Sequence, residues 1–387
     1  MKVLASDTES TGATNGTFGS AFTPSNKLVC ISYAGMGIES GVLPVEYDAT
    51  PYGDNLRRFA ALVAESELMV GFAFKHDLHW YKRYGINFRH KRIWDCQLAH
   101  FIMNYQKFPD PSLHEVGIAL GRGEKIDVVK KEYWEKGIDT DGVPWDILYE
   151  YALNDADDLT WQIYLEQERL LRPFPKLRNL IFMQCQDILV TQEMEWNGLK
   201  YNLQKSKEKG REVRVEIEGI TQELNTLCPI ELDWNSKDHL SAFLYGGVVK
   251  KQERVQRPFK YKDGREVMKE RWQDVEYVLP RQIEPLPKTE VKKGGYFETN
   301  EKVLNSLQAT RASRKTLDLI LKRNQLSKLV GTYYEGIPKI YEHHQWEDSI
   351  IHGTINHSRT GTGRLASSKP NQQNMDERVL SCIETRF

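Results

Sequence analysis

Residues 68–74 read Leu-Met-Val-Gly-Phe-Ala-Phe, without one polar side chain to turn toward water. A strand that is apolar on both faces must be covered on both, which is the situation of an inner strand in a sheet flanked by helices. That requirement makes the first part of the chain α/β. Lys2 to Ala5 and Leu28 to Ala34 supply further strands, and the Thr/Gly/Ser/Asn-rich stretch 10–26 between them reads as a loop or loose hairpin. Leu56 to Ala64 has helical spacing. So does Trp145 to Leu171, which ends before Pro173 and Pro175 at a domain boundary.

Beyond that boundary the pattern turns helical. Apolar residues at three- and four-residue steps (Phe174, Leu177, Ile181, Cys185, Ile188) predict a helix closed by Asn197-Gly198. Leu203 to Leu227 predicts a second helix with a charged face. Residues 249–295 are polar, basic and proline-containing, and read as an extended hairpin or loop insertion. Val303 to Tyr341 returns to long helices, and Ser349 to Asn356 reads as a strand entering a Gly/Ser/Thr/Arg-rich turn. No internal repeat is visible, and 387 residues suit two or three domains.

Several classes are excluded. No apolar run reaches the ~20 residues of a membrane-spanning helix, and Met-Lys-Val-Leu-Ala-Ser-Asp is too short in its apolar part for a signal peptide. No membrane partner is expected. The cysteines (Cys30, Cys96, Cys185, Cys228, Cys382) form no CxxC pair and suit a reducing compartment, with neither a zinc site nor a disulfide framework. The net charge of −1 conceals an asymmetry: residues 1–160 hold 16 Lys/Arg against 23 Asp/Glu, and the remainder 37 against 31. An acidic front half suits cations, and a basic back half suits phosphates.

The acids of the front half fall in a telling pattern. Asp7-Thr8-Glu9 closes the first strand, and positions i and i+2 of a strand share a face, so both carboxylates reach one ion. Asp77 follows the apolar run after Lys75-His76; taken alone, it reads first as a helix N-cap. Tyr151 and Asp155 stand one helical turn apart on the same face, which Asp157 and Asp158 do not share at that spacing. A tyrosine hydroxyl with a pKa of ~10 is a poor base near neutrality, but it can orient a metal-bound water. Four acids in one cleft repel each other unless cations separate them. Two divalent ions about 3.5–4 Å apart would do so, activating water and stabilising the leaving oxygen of a phosphodiester.

In order and spacing these residues resemble the DEDDy branch of the DnaQ-like 3′→5′ exonucleases, with Asp7 and Glu9 as its first motif, Asp77 as its second, and Tyr151 with Asp155 as its third. The resemblance implies an RNase H-like domain with a mixed sheet. It implies metal ligation by Asp7, Glu9, Asp77 and Asp155, orientation of the nucleophilic water by Tyr151, and two Mg2+ ions, with Mn2+ as a substitute. The chain departs from the family at the second motif, usually G-x-N-x-K-F-D, which here is Gly71-Phe72-Ala73-Phe74-Lys75-His76-Asp77. Ala73 stands for the customary Asn. His76 stands for Phe and reads as a local substitution, not as a catalytic base.

Met194-Glu195-Trp196-Asn197-Gly198, Asn235-Ser236-Lys237-Asp238-His239-Leu240 and Lys292-Lys293-Gly294-Gly295-Tyr296 resemble the thumb of family A DNA polymerases. Residues 362–374, TGRLASSKPNQQN, are similar to the TGRLSS…PNLQN signature that opens that family's palm. Arg364 carries a forked, permanent charge able to reach a phosphate or a minor-groove acceptor, and Gln373 and Asn374 offer amide donors for the same edge. The resemblance assigns all three to primer–template DNA. It implies an exonuclease domain over 1–172, a helical thumb over 173–345 with the basic insertion at 249–295, and the beginning of an incomplete α+β palm over 346–387. The polymerase's catalytic aspartates and the dNTP-binding lysine of its fingers are expected beyond Phe387, on a second polypeptide or across a truncation, so nucleotide addition is not expected from this chain alone. The lack of a preceding 5′-nuclease segment points to a phage-type member in the host cytoplasm.

The expected function is proofreading: removal of the single-stranded 3′ end of DNA in replication, coupled to a duplex held by thumb and palm. Two other readings stand beside it. One is a DNA-holding polymerase subunit with a decayed exonuclease, and the other is an RNA-trimming exonuclease with helical appendages.

Overall fold

The computed structural model of the protein describes residues 2–47, 53–262, 264–291 and 294–385. The chain forms two compact units, one of residues 1–203 and 337–387, the other of residues 204–336.

Unit 1 is built on a five-stranded mixed sheet of β1 (Val3–Ser10), β2 (Leu28–Gly35), β3 (Ile38–Pro44), β4 (Leu68–Gly71) and β5 (Arg92–Asp95), in the order β3-β2-β1-β4-β5. β2 runs antiparallel to β1 and β3, whereas β4 lies parallel to β1 and β5. β1 does not stop at Ala5. It continues through Asp7 and Glu9, which pair with Ser32 and Cys30 of β2. Its polar second half hides the strand from a search for apolar residues, and the two acids lie within the sheet instead of at its rim. Helix α1 (Gly53–Glu65) precedes β4, and α2 (Lys75–Arg83) and α3 (Cys96–Met103) follow β4 and β5. Trp80, Trp94, Tyr81, Phe59, Phe74 and Phe101 are fully buried around the sheet.

The apolar run 68–74 is only half strand. Its last three residues form a tight turn that the sequence builds at two points. A Cβ on Gly71 would lie 1.9 Å from the Phe74 ring, so the close return of Phe74 requires glycine there. Ala73 takes a left-handed φ of 50°, and the Phe74 amide donates to Asp95 Oδ2 at 2.8 Å. Asp95 also caps α3 by accepting from Leu98.

Short helices α4 (Leu113–Ala119) and α5 (Val128–Glu132) lead into α6 (Trp145–Leu153), which passes through a π-wound stretch, Asn154–Trp161, into α7 (Gln162–Leu171). The predicted helix 145–171 is therefore continuous but not uniform. α8 (Pro175–Asn197) starts with proline at its N-terminus and ends at Gly198, whose φ of 61° is one that glycine adopts readily. β6 (Leu199–Tyr201) then pairs on both edges with later strands, named below.

Unit 2 holds α9 (Leu203–Asn225), α10 (Lys237–Tyr245), the long strands β7 (Gly247–Lys260) and β8 (Glu266–Leu279), the small pair β9 (Glu290–Val291) and β10 (Tyr296–Phe297), α11 (Glu301–Ser306) and α12 (Arg311–Leu329). α13 (Gly336–His343) leads back into unit 1. There β11 (Ile350–Ile351) and β14 (Ile383–Glu384) flank β6, β12 (Thr354–Asn356) pairs with β13 (Ala366–Ser368), and α14 (Glu377–Leu380) precedes β14. These compact units are cut differently from the segments expected along the chain: α8 and residues 346–387 group with residues 1–172. Among the described residues no helix is long and apolar enough to cross a membrane.

Candidate functional site

The sheet and the π-wound helix bring three of the expected acids together. Asp7 and Glu9 come from one face of β1 and Asp155 from the start of the π stretch, and one carboxylate oxygen of each lies within 4.8 Å of the others. A single π turn inside an α-helix often marks a functional position. Asp77 stands in the first turn of α2 and does not act as its N-cap. It is held from the side, accepting a 2.5 Å hydrogen bond from Thr8 Oγ1. It is not part of the three-acid group, although the charge of Asp7 bears on it. Tyr151 is buried on α6.

The electrostatics are those of a site built for added positive charge. Burial, then the neighbouring Asp155, pushes the Asp7 carboxyl up to about 7. Burial and the charge of Asp7 push Glu9 and Asp77 well above the usual carboxylate range. Burial raises Asp155 despite Lys125 beside it, and burial raises the Tyr151 hydroxyl. Asp155 Oδ1 is buried with no hydrogen-bond partner. An orphaned carboxylate oxygen in a group of hard oxygen donors fits a divalent cation such as magnesium.

Sequence reasoning missed Lys125. Its ammonium pairs with Asp155 Oδ2 and stands 5.0 Å from the centre of the Tyr151 ring. Burial disfavours its charge, but Asp155, Tyr151, Glu9 and Asp7 hold its pKa above the usual lysine value. Arg-Gly-Glu-Lys in a loop gives no periodic signal, so only the fold reveals this cation among the acids.

The acids line a cleft of about 280 Å3 with Phe72, Lys125 and Tyr151. It shares Glu9, Lys130 and Trp134 with a neighbouring cleft of about 500 Å3, which in turn shares Phe18 and His76 with a third of about 290 Å3 reaching His357 and Lys369. Phe18 is 69% exposed in a left-handed backbone conformation, and the Lys369 ammonium lies 4.3 Å from its ring centre. Exposed rings and cations along a groove suit the stacked bases and phosphates of a single strand.

The remaining expected residues lie in the 360–374 segment. Arg364 is exposed. Gln373 binds its own segment, accepting from the Ser367 amide at 3.1 Å and donating to the Leu365 carbonyl at 3.2 Å. Asn374 is exposed. Of the thumb-like motif 292–296, Lys292 and Lys293 fall outside the described residues.

Residues 203–386 match the model of DNA polymerase family A. The thermostable DNA polymerase I of Thermus filiformis is 23% identical over 241 residues, 61% of this chain and 24% of that protein. DNA polymerase I of Bacillus subtilis is 25% identical over 191 residues, 49% of this chain and 17% of that protein. DNA polymerase I of Synechocystis is 35% identical over 88 residues, 23% of this chain and 8% of that protein. Among solved structures, the POL domain of Pol1 from M. smegmatis, in complex with DNA primer–template and dNTP, is similar with a TM-score of 0.64 at 16% identity, over 98% of this chain and 53% of that one. The chain thus spans about a quarter or less of these curated relatives and about half of the solved chain. Residues 203–386 are similar to the family A DNA polymerases, and the chain shares the fold of the solved POL domain; the acids of β1, α2 and the π stretch precede the residues that match the family.

Proposed function

We propose that this relative of the family A DNA polymerases is a magnesium-dependent 3′→5′ exonuclease that edits the primer end in DNA replication. The observation that carries the reading is the gathering of Asp7, Glu9 and Asp155 at less than 5 Å around an unsatisfied Asp155 Oδ1, with Asp77 held beside them. In this reading residues 1–172 act as the nuclease, 173–345 as the thumb and 346–387 as the start of the palm. Asp7, Glu9, Asp77 and Asp155 hold the metal. When bound, the divalent ions lower the pKa of water and offset charge on the leaving oxygen. Tyr151, kept protonated by burial, orients the attacking water by hydrogen bonding. The linked clefts past Phe18 and Trp134 receive the single-stranded 3′ end. Arg364, with Gln373 and Asn374, contacts the duplex.

The test is shortening of 3′-terminal single-stranded DNA in the presence of magnesium. The wild-type protein is expected to degrade it, and Asp7→Ala and Asp155→Ala are expected to lose at least a hundredfold in rate. Undiminished activity in either variant refutes the assignment.

Two features favour a second reading, a DNA-holding chain with a decayed nuclease: Lys125 already neutralises Asp155, and Ala73 replaces the customary Asn. Calorimetric titration with Mn2+ separates the two, because a decayed site binds no ion pair. Matched DNA and RNA oligonucleotides test the substrate class.

A further inference from the structure

β7 and β8 pair over their full length, from Gly247 opposite Leu279 to Lys260 opposite Glu266. At ~3.3 Å per residue the ribbon is about 45 Å long. Val249 and Leu279 at its base are buried, and beyond them most of both faces is open to solvent. A two-stranded ribbon alone in water is marginally stable, so its side-chain pairs decide whether it holds.

Its two faces are composed on opposite rules. On one, cations face anions: Lys250 pairs with Glu276 at 3.0 Å, Arg254 with Glu270 at 3.6 Å, and Lys260 with Glu266 at 3.6 Å. On the other, Arg257 sits directly opposite Lys269, and Arg271 lies one step along the same face. Like charges placed opposite each other destabilise a ribbon. None of these three has a carboxylate partner among the described residues. Arg257 donates to Gln273 at 2.5 Å, and Lys269 lies 4.2 Å and 4.6 Å from the ring centres of Phe259 and Tyr261. The rings and the amide fix the cations in place without neutralising them.

We propose that the Arg257–Lys269–Arg271 face binds the phosphate backbone of duplex DNA, extending the grip of unit 2 along the primer–template. The acid of this face, Glu253, accepts from the Tyr277 hydroxyl at 2.8 Å and pairs with none of the three cations; phosphates supply the counter-charge they lack, and the self-paired opposite face has no such need. The inference rests on the reading of the chain as a DNA-handling protein.

The experiment measures binding of the full chain to a labelled primer–template by fluorescence anisotropy across a salt series. In Arg257→Gln/Lys269→Gln/Arg271→Gln the slope of log affinity against log salt is expected to shrink by roughly 2–3 units, at ~0.9 per lost phosphate contact. The control, Lys250→Gln/Arg254→Gln/Lys260→Gln, makes the same change in net charge on the other face, and its slope should stay within about one unit of wild type. Circular dichroism checks folding, which the first triple should not impair because it removes repulsion. Equal slopes in the two triples overturn the proposal, including the case in which the face serves an acidic protein. A wild-type chain that binds no duplex at all refutes the DNA-handling reading itself, a distinguishable outcome.

Discussion

At the scale of single residues, Lys125 bears on the acid cluster and Ala73 on the turn that leads into α2. Lys125 is the cation that lets buried carboxylates coexist without metal, so its loss should hurt the metal-free protein most. Lys125→Met is expected to cost about 1–3 kcal/mol without magnesium, below the ~3–5 kcal/mol of breaking a fully buried pair because Lys125 is partly exposed. With saturating magnesium the cost should be smaller, and urea unfolding under the two conditions measures the difference. Ala73 pays for a left-handed backbone that Asn tolerates better than Ala. Ala73→Asn is therefore expected to stabilise by roughly 0.5–1 kcal/mol, seen as a rise in the urea midpoint. Spacing paired Asp7 with Glu9 and Tyr151 with Asp155, because strand and helix periodicities carry that information, whereas the expectation that the pairs share one site came from the resemblance. Lys125 could not be found in this way, since 30 residues of chain separate it from Asp155.

At the scale of elements, a buried hub joins α2, α8 and β12. Glu195 of α8 accepts from Lys75 Nζ at 2.5 Å and from the Ile355 amide at 2.5 Å, and it pairs with His79 Nε2 at 2.7 Å. Burial works against its charge, yet the bonds from His79 and Lys75 hold its pKa below the usual value. Glu195→Gln leaves Lys75 charged, buried and without a carboxylate, and should cost about 3–5 kcal/mol. Replacing both partners, Lys75→Met with Glu195→Gln, should cost less than the sum of the single changes; a denaturation double-mutant cycle gives the coupling. The long helices and the first strands were legible because periodicity and caps are local. β3 was not, since Ile38–Pro44 interrupts its apolar residues with Glu39, Ser40 and Gly41. The hub was invisible because Glu195 lies more than 100 residues from each of its partners in the chain.

At the scale of the whole molecule, half-buried histidines couple stability to pH. Burial, followed by nearby positive groups, lowers His344 and His357 from 6.5 to about 4. The unfolded chain takes up these protons near pH 6.5 and the folded chain only near pH 4. Their contribution is thus complete above about 6.5 and is lost as pH falls through about 4. Stability measured with magnesium present, so that the acid cluster adds little slope of its own, should decline over that window. His357→Gln should flatten the decline, and an unchanged slope would contradict the assignment.

The path of the chain through unit 1 sets an order of assembly. The polypeptide leaves this unit near residue 203 and re-enters near 337. β6 is made early, yet both of its partners, β11 and β14, are made late. On the ribosome, where domains fold as they emerge, β6 therefore waits with two bare edges while the whole of unit 2 is synthesised, and the Glu195 hub waits for Ile355. The small sheet β11-β6-β14 is thus finished only as translation nears residue 384, although every strand of the sheet that carries Asp7 and Glu9 has been made by residue 95.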